Sequence, residues 1–138
     1  MSNANTARLV RVTTRALGGG LPSDTPLSAA TNQFDVVVEG RSGCVLGTSG
    51  QPYGLRISAL DLITGTNPDS LRNNFSQQRT ERFDSAHGWP EKVATFTITI
   101  DDPMAIQGHL LRYYAILTSA NQIVSFVESP VFLLHLGR

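Results

Sequence analysis

The sequence predicts an all-β fold, an antiparallel sandwich of about seven short strands. Lys92 to Ile100 (KVATFTITI) alternates strictly, with Ala94, Phe96, Ile98 and Ile100 on one side and Thr95, Thr97 and Thr99 on the other. That is the period of a half-buried strand. His109 to Leu136 is the densest apolar stretch and reads as two or three consecutive strands. Clusters of Gly, Pro, Asn and Asp separate the apolar runs, and no run carries a long helical period. Together these are the marks of a sandwich or a barrel.

Ala7 to Leu17 (ARLVRVTTRAL) is the first strand, with Val10, Val12 and Thr14 expected on one face and Arg11 and Arg15 on the other. Gly18-Gly19-Gly20 and Pro22 end it, and the chain to Asn32 is a connection or a ragged edge strand. Phe34 to Glu39 (FDVVVE) is the second strand, turning Phe34, Val36 and Val38 to one side. Gly40 to Pro52 holds four glycines and reads as a loop, with room for a short strand at Cys44-Val45-Leu46. Tyr53 to Ile63 is the third strand. Its apolar phase shifts from Tyr53, Leu55 and Ile57 to Leu60 and Leu62, which predicts a bulge near Ser58-Ala59. Thr64 to Glu91 is a long polar loop before the fifth strand, with Gln77 to Phe83 placed at a sheet edge. After Lys92–Ile100, Asp102-Pro103 to Gly108 reads as one helical turn, with Asp as N-cap, Pro at the first position and Gly at the exit.

The last stretch turns at Ser119-Ala120-Asn121-Gln122, because Asn tolerates the left-handed backbone of a tight hairpin. Ile123 to Val127 resumes the strand, Ser129-Pro130 interrupts it, and Val131 to Leu136 continues. Proline cannot donate to a ladder, so Pro130 implies an edge, a bulge or a change of sheet. A helix is excluded here by that proline and by the scarcity of Ala, Glu and Lys.

This order of pieces resembles an immunoglobulin-like or fibronectin-type-III-like sandwich over most of the chain. In that likeness Gln107-Gly108-His109, followed by Tyr113 and Tyr114, looks like a loose tyrosine corner. The paired cysteines and the buried central Trp of antibody domains are absent: there is one cysteine, Cys44, and the only Trp, Trp89, precedes the fifth strand. A jelly roll or a lipocalin-like barrel is the competing architecture.

At 138 residues the chain is expected to be one domain, residues 1–138, with residues 1–6 as a flexible tail. A formal net charge of zero argues against a nucleic-acid or anionic-membrane partner. A single cysteine excludes an internal disulfide. The polar start, Met1-Ser2-Asn3-Ala4-Asn5, lacks a secretory signature, and no apolar run reaches the ~20 residues that span a bilayer. Cytoplasmic residence, or release without a standard signal, is the expectation.

No motif fixes an activity. Gly40-Arg41-Ser42-Gly43-Cys44 and Gly47-Thr48-Ser49-Gly50-Gln51 approach a nucleophile elbow, but each lacks the final glycine. Gly18-Gly19-Gly20 has no Gly-Lys-Ser/Thr after it and is not a phosphate loop. His87, His109 and His135 show no ligand spacing. Asp101 and Asp102 offer a hard-cation pair, but a helix cap accounts for Asp102. Cys44 reads as a small buried hydrophobe, and Asn74-Phe75-Ser76 is a sequon without a signal peptide. No metal or cofactor is expected.

Two features exceed what a core needs. The strand from Leu110 is apolar on both faces, with Leu110, Tyr114 and Ile116 on one and Leu111, Tyr113, Ala115 and Leu117 on the other. A sandwich strand has one wet face, so the first set, with Arg112, is a candidate contact surface. The polar stretch carries Arg79, Arg82, Phe83 and Trp89, beside Arg72, Phe75, Glu81 and His87, a composition suited to interface anchors. The expected function is a non-enzymatic module that binds protein, including other copies of itself. A small-ligand or carbohydrate-binding domain, with Trp89 and Tyr53 as platform, is the alternative.

Overall fold

The computed structural model describes residues 7–18, 21–27, 32–42, 52–69, 73–82, 92–119 and 122–135. They form eight strands: β1 (Ala7–Ala16), β2 (Gln33–Ser42), β3 (Pro52–Asp61), β4 (Gln77–Arg82), β5 (Lys92–Thr99), β6 (His109–Ser119), β7 (Gln122–Glu128) and β8 (Phe132–Leu134). One sheet has the order β1-β2-β5 and the other β4-β3-β6-β7, with β8 also on β6. Every pairing is antiparallel. This is the immunoglobulin-like sandwich of the sequence reading. Strand β4 lies beside β3 rather than beside β5, unlike the ABED/CFG division of a constant-type immunoglobulin domain. None of the described helices is long and apolar enough to cross a membrane.

The strand faces follow from side-chain parity. Phe34, Val36 and Val38 of β2, Ala94, Phe96 and Ile98 of β5, and Leu111, Tyr113, Ala115 and Leu117 of β6 are buried between the sheets, as their alternation requires. Phe34, Tyr113 and Phe132 meet at the centre, with ring centroids 5.7–6.3 Å apart. Such ring pairs add about 0.5–1.5 kcal/mol each beyond area burial.

Two phase expectations are corrected. The register of β1 slips between Leu9 and Arg11. Ala7, Leu9 and Val12 therefore face the core, and Val10, expected on the face of Val12, is exposed. In β3 the expected bulge near Ser58-Ala59 does not occur: pairing with β6 runs unbroken from Gly54 to Asp61. The inward series continues through Ala59 to Asp61, and Leu62 is exposed. An aspartate in an inward position had disguised the phase.

Pro130 acts as the ladder rule demands. β7 and β8 form one interrupted edge strand along β6, split by Ser129-Pro130-Val131. Ser129 repairs the gap: its amide donates to the Tyr113 carbonyl at 2.8 Å, and its hydroxyl accepts from the Tyr113 amide at 2.9 Å. The turn after β5 is a 3-10 turn over Pro103–Ala105, with no side-chain cap from Asp102. The Asp102 main chain instead grips buried Asn73, accepting from its Nδ2 at 3.0 Å and donating to its Oδ1 at 2.8 Å. Gly108 leaves the turn at φ 82°, the left-handed region that favours glycine. The Tyr113 hydroxyl donates to the carbonyl of Phe75 at 2.8 Å, so the anchoring tyrosine reaches the segment before β4 and not the β5–β6 corner. Burial, then the charge of Asp69, push that phenol well above its usual range.

The sides of the sandwich are stitched. On one, Gln77 of β4 donates to the Thr97 carbonyl at 2.7 Å, and Arg79 donates to that of Thr95. On the other, the Leu9 amide donates to the Ser125 hydroxyl at 2.9 Å. Residues 21–27 cross the same side: Ser23 donates its amide to Thr14, and Leu133 donates its own to Asp24.

Candidate functional site

The outer face of the β4-β3-β6-β7 sheet holds most of the predicted contact residues that are described. Inward residues of β3 and β6 alternate with Arg56, Ser58 and Leu60 and with Leu110, Arg112, Tyr114 and Ile116. The register sets Gln78, Arg56, Ile116 and Phe126 in one row across four strands, and Ser58, Tyr114 and Glu128 in the next. Tyr114 and Phe126 are diagonal neighbours, within reach for aromatic side chains. Their rings lie 6.3 Å apart and 11° from parallel. Phe126 is 55% exposed and Leu110 39%. Arg112 donates to Glu128 at 3.0 Å beside them. This arrangement offers flat apolar area with a charged pair at its margin.

The other predicted residues fall elsewhere. Arg79 turns toward the sandwich, with its guanidinium 4.1 Å from the centroid of the Phe96 ring, besides its bond to Thr95. That is cation–π distance. Arg82 is at the exposed end of β4. Phe83 and Trp89 lie outside the described residues, as do Arg72, His87, Cys44-Val45-Leu46 and Ser49. Tyr53, offered as a ligand platform, is 2% exposed and donates its hydroxyl to Glu81 at 3.2 Å, so it presents no face to a ligand. Phe75 of the sequon is fully buried. Sequence reading missed Phe126, Glu128 and Arg56. Alternation counted along the sequence could not find the first two: continuing the pairs Ser119–Gln122 and Thr118–Ile123 would set Ser125 opposite Ile116, and the register shift beside Leu117 puts Phe126 there instead.

The titratable pairs serve the fold. The carboxylate of Asp61 accepts from the Ile63 and Thr64 amides at 2.8 and 3.3 Å and meets His109 Nδ1 at 2.6 Å. Burial alone would raise that carboxyl. The His109 bond and the two amides outweigh it and hold the group below its ordinary value. His135 bonds Gln107 at 2.7 Å. Among the described residues no group of three or more His, Cys, Asp or Glu could hold a metal ion.

No protein-family model matches this chain, and no curated protein resembles it in sequence. Solved structures do share its fold. It is similar to the C-terminal domain of Wzt, with TM-score 0.58 and 10% identity, over 100% of this chain and 77% of that one. It is also similar to part of a β-glucuronidase from glycoside hydrolase family 2, with TM-score 0.55 and 11% identity, over 94% of this chain and 12% of that one. A family 2 glycosyl hydrolase from Bacteroides cellulosilyticus gives TM-score 0.53 and 10% identity, over 96% of this chain and 16% of that one. This chain therefore spans under a fifth of the hydrolases it matches, and at such identities the likeness is one of fold.

Proposed function

We propose that this chain is a non-enzymatic recognition module that meets protein, including a second copy of itself, through the outer face of the β4-β3-β6-β7 sheet. The observation that carries the reading is the near-parallel Tyr114–Phe126 pair, with Phe126 exposed and Tyr114 half-buried, beside the Arg112–Glu128 bond. Flat aromatic area bordered by charge is the composition of an interface centre and its rim. The engagement of Asp61, His109 and His135 in structural bonds supports a binding role over a catalytic one.

Light scattering across a concentration series tests the reading, together with capture of partners from the native host. The expected result is a concentration-dependent increase in mass, or a captured protein, lost in Phe126→Ser and Tyr114→Ser with the fold unchanged by circular dichroism. A monomer at every concentration that captures nothing overturns it.

A further inference from the structure

The strands of the β4-β3-β6-β7 sheet carry a positive excess on their outer face. Among the described residues, the charged side chains at outward positions there are Arg56, Arg82, Arg112 and Glu128. The chain as a whole has no net charge, so the excess is local to this face. Glu128 is already taken by Arg112. Arg56 is exposed, and the side chains that border it, Asn74, Ser76, Gln77 and Gln78, are all neutral. No described carboxylate pairs with it. The register sets Arg56 in line with Ile116 and then with Phe126, two strand spacings away, roughly 9–10 Å.

We infer that this face selects an acidic protein segment, which seats an apolar side chain on Tyr114 and Phe126 and a carboxylate on Arg56. The inference rests on the protein-contact reading and names the partner's chemistry. Opposite charge across an interface fixes register and speeds encounter. A guanidinium presents its donors as a fork that fits a carboxylate. A second copy matches the cation less well: face to face it sets Arg56, Arg82 and Arg112 against the same three arginines, with Glu128 alone to oppose them. Nucleic acid is the other polyanion, but its binding is dominated by contacts to phosphates. Here the row beside Arg56 is apolar, with Ile116 and Phe126 in line and Tyr114 next to them.

The test is fluorescence anisotropy of labelled short peptides rich in glutamate and leucine, titrated with the full chain. Matched peptides carry glutamine in place of every glutamate. Saturable binding of the glutamate peptides is expected, at least about fivefold tighter than that of the glutamine peptides and weakening as salt rises. Arg56→Glu should weaken it by roughly tenfold or more, because like charges then meet, and Arg56→Gln by about threefold. Circular dichroism checks that each variant keeps the fold. No binding by any glutamate peptide overturns the inference. So do equal binding by the glutamine peptides, binding that Arg56→Glu leaves unchanged, and displacement of the peptide by a single-stranded oligonucleotide at equal concentration. Loss of self-association or of partner capture in Phe126→Ser would still uphold the broader protein-contact reading in each of those cases, so the two can fail independently.

Discussion

Over the β1-β2-β5 sheet the outward side chains bond to one another. Over the β4-β3-β6-β7 sheet, Tyr114 and Phe126 lie side by side toward solvent. On the first face Asp35 accepts from the Gly18 amide at 3.1 Å and the Thr97 hydroxyl at 3.0 Å. Gln33 reaches Thr99 at 3.1 Å, and Arg11 pairs with Glu39. Beneath that layer Val37 is only 5% exposed although it points away from the core. Both faces cover one interior, so burial of the core cannot explain their difference. The first face covers Val37 with its own bonded side chains and exposes the small Val93 side chain beside Glu39, whereas the second sets an aromatic pair toward solvent.

The same substitution placed on each side breaks the comparison most severely. Val37→Asp sets an unpaired charge into the closed face and should destabilise by about 3 kcal/mol or more. Phe126→Asp, on the open face, should change stability by no more than about 0.5 kcal/mol. Urea unfolding of the two variants measures both, and equal losses would refute the distinction. Next in size is Asp35→Ala, which strands the Gly18 amide and the Thr97 hydroxyl and should cost about 2 kcal/mol, read from the shift in urea midpoint.

Acid should expose a third pattern. The folded value of Asp61 lies below its ordinary 3.8. Its contribution is therefore complete above that pH and disappears as pH falls through the lower folded value. Asp61→Asn should be less stable than the parent at neutral pH, and the gap should close below about pH 3.8 in denaturation series taken across the acid range. The smallest effect belongs to the partly exposed Arg112–Glu128 pair. A double-mutant cycle there should give less than about 1 kcal/mol, and salt should erase it.

The strict alternation of Lys92–Ile100 and the two-sided apolarity of Leu110–Leu117 made the sandwich and its second surface readable from sequence. Local periodicity is a short-range property, and these strands obey it. The phase of β3 was not readable, because Asp61 holds an inward position that only its bonds to His109, Ile63 and Thr64 make tolerable. Val10 misled because one extra residue near Leu9 reverses the faces of β1. The reason for Gly54 was equally hidden. A lone glycine in a strand takes its meaning from Thr118, whose hydroxyl lies over it and which is distant in sequence and adjacent only through pairing. The neighbours of Tyr114 needed the exact register of the last hairpin.

The clasp of Gln77 and Arg79 on the main chain of β5 bears on how copies could assemble. An open strand edge accepts another strand, which presents a new edge in turn, and growth has no end. Here two of the carbonyls along β5 are already taken by side chains of the same molecule. A flat face meeting its own copy through a two-fold axis is consumed in the act. Self-association through Tyr114 and Phe126 would thus be finite, stopping at a pair instead of extending into a fibre.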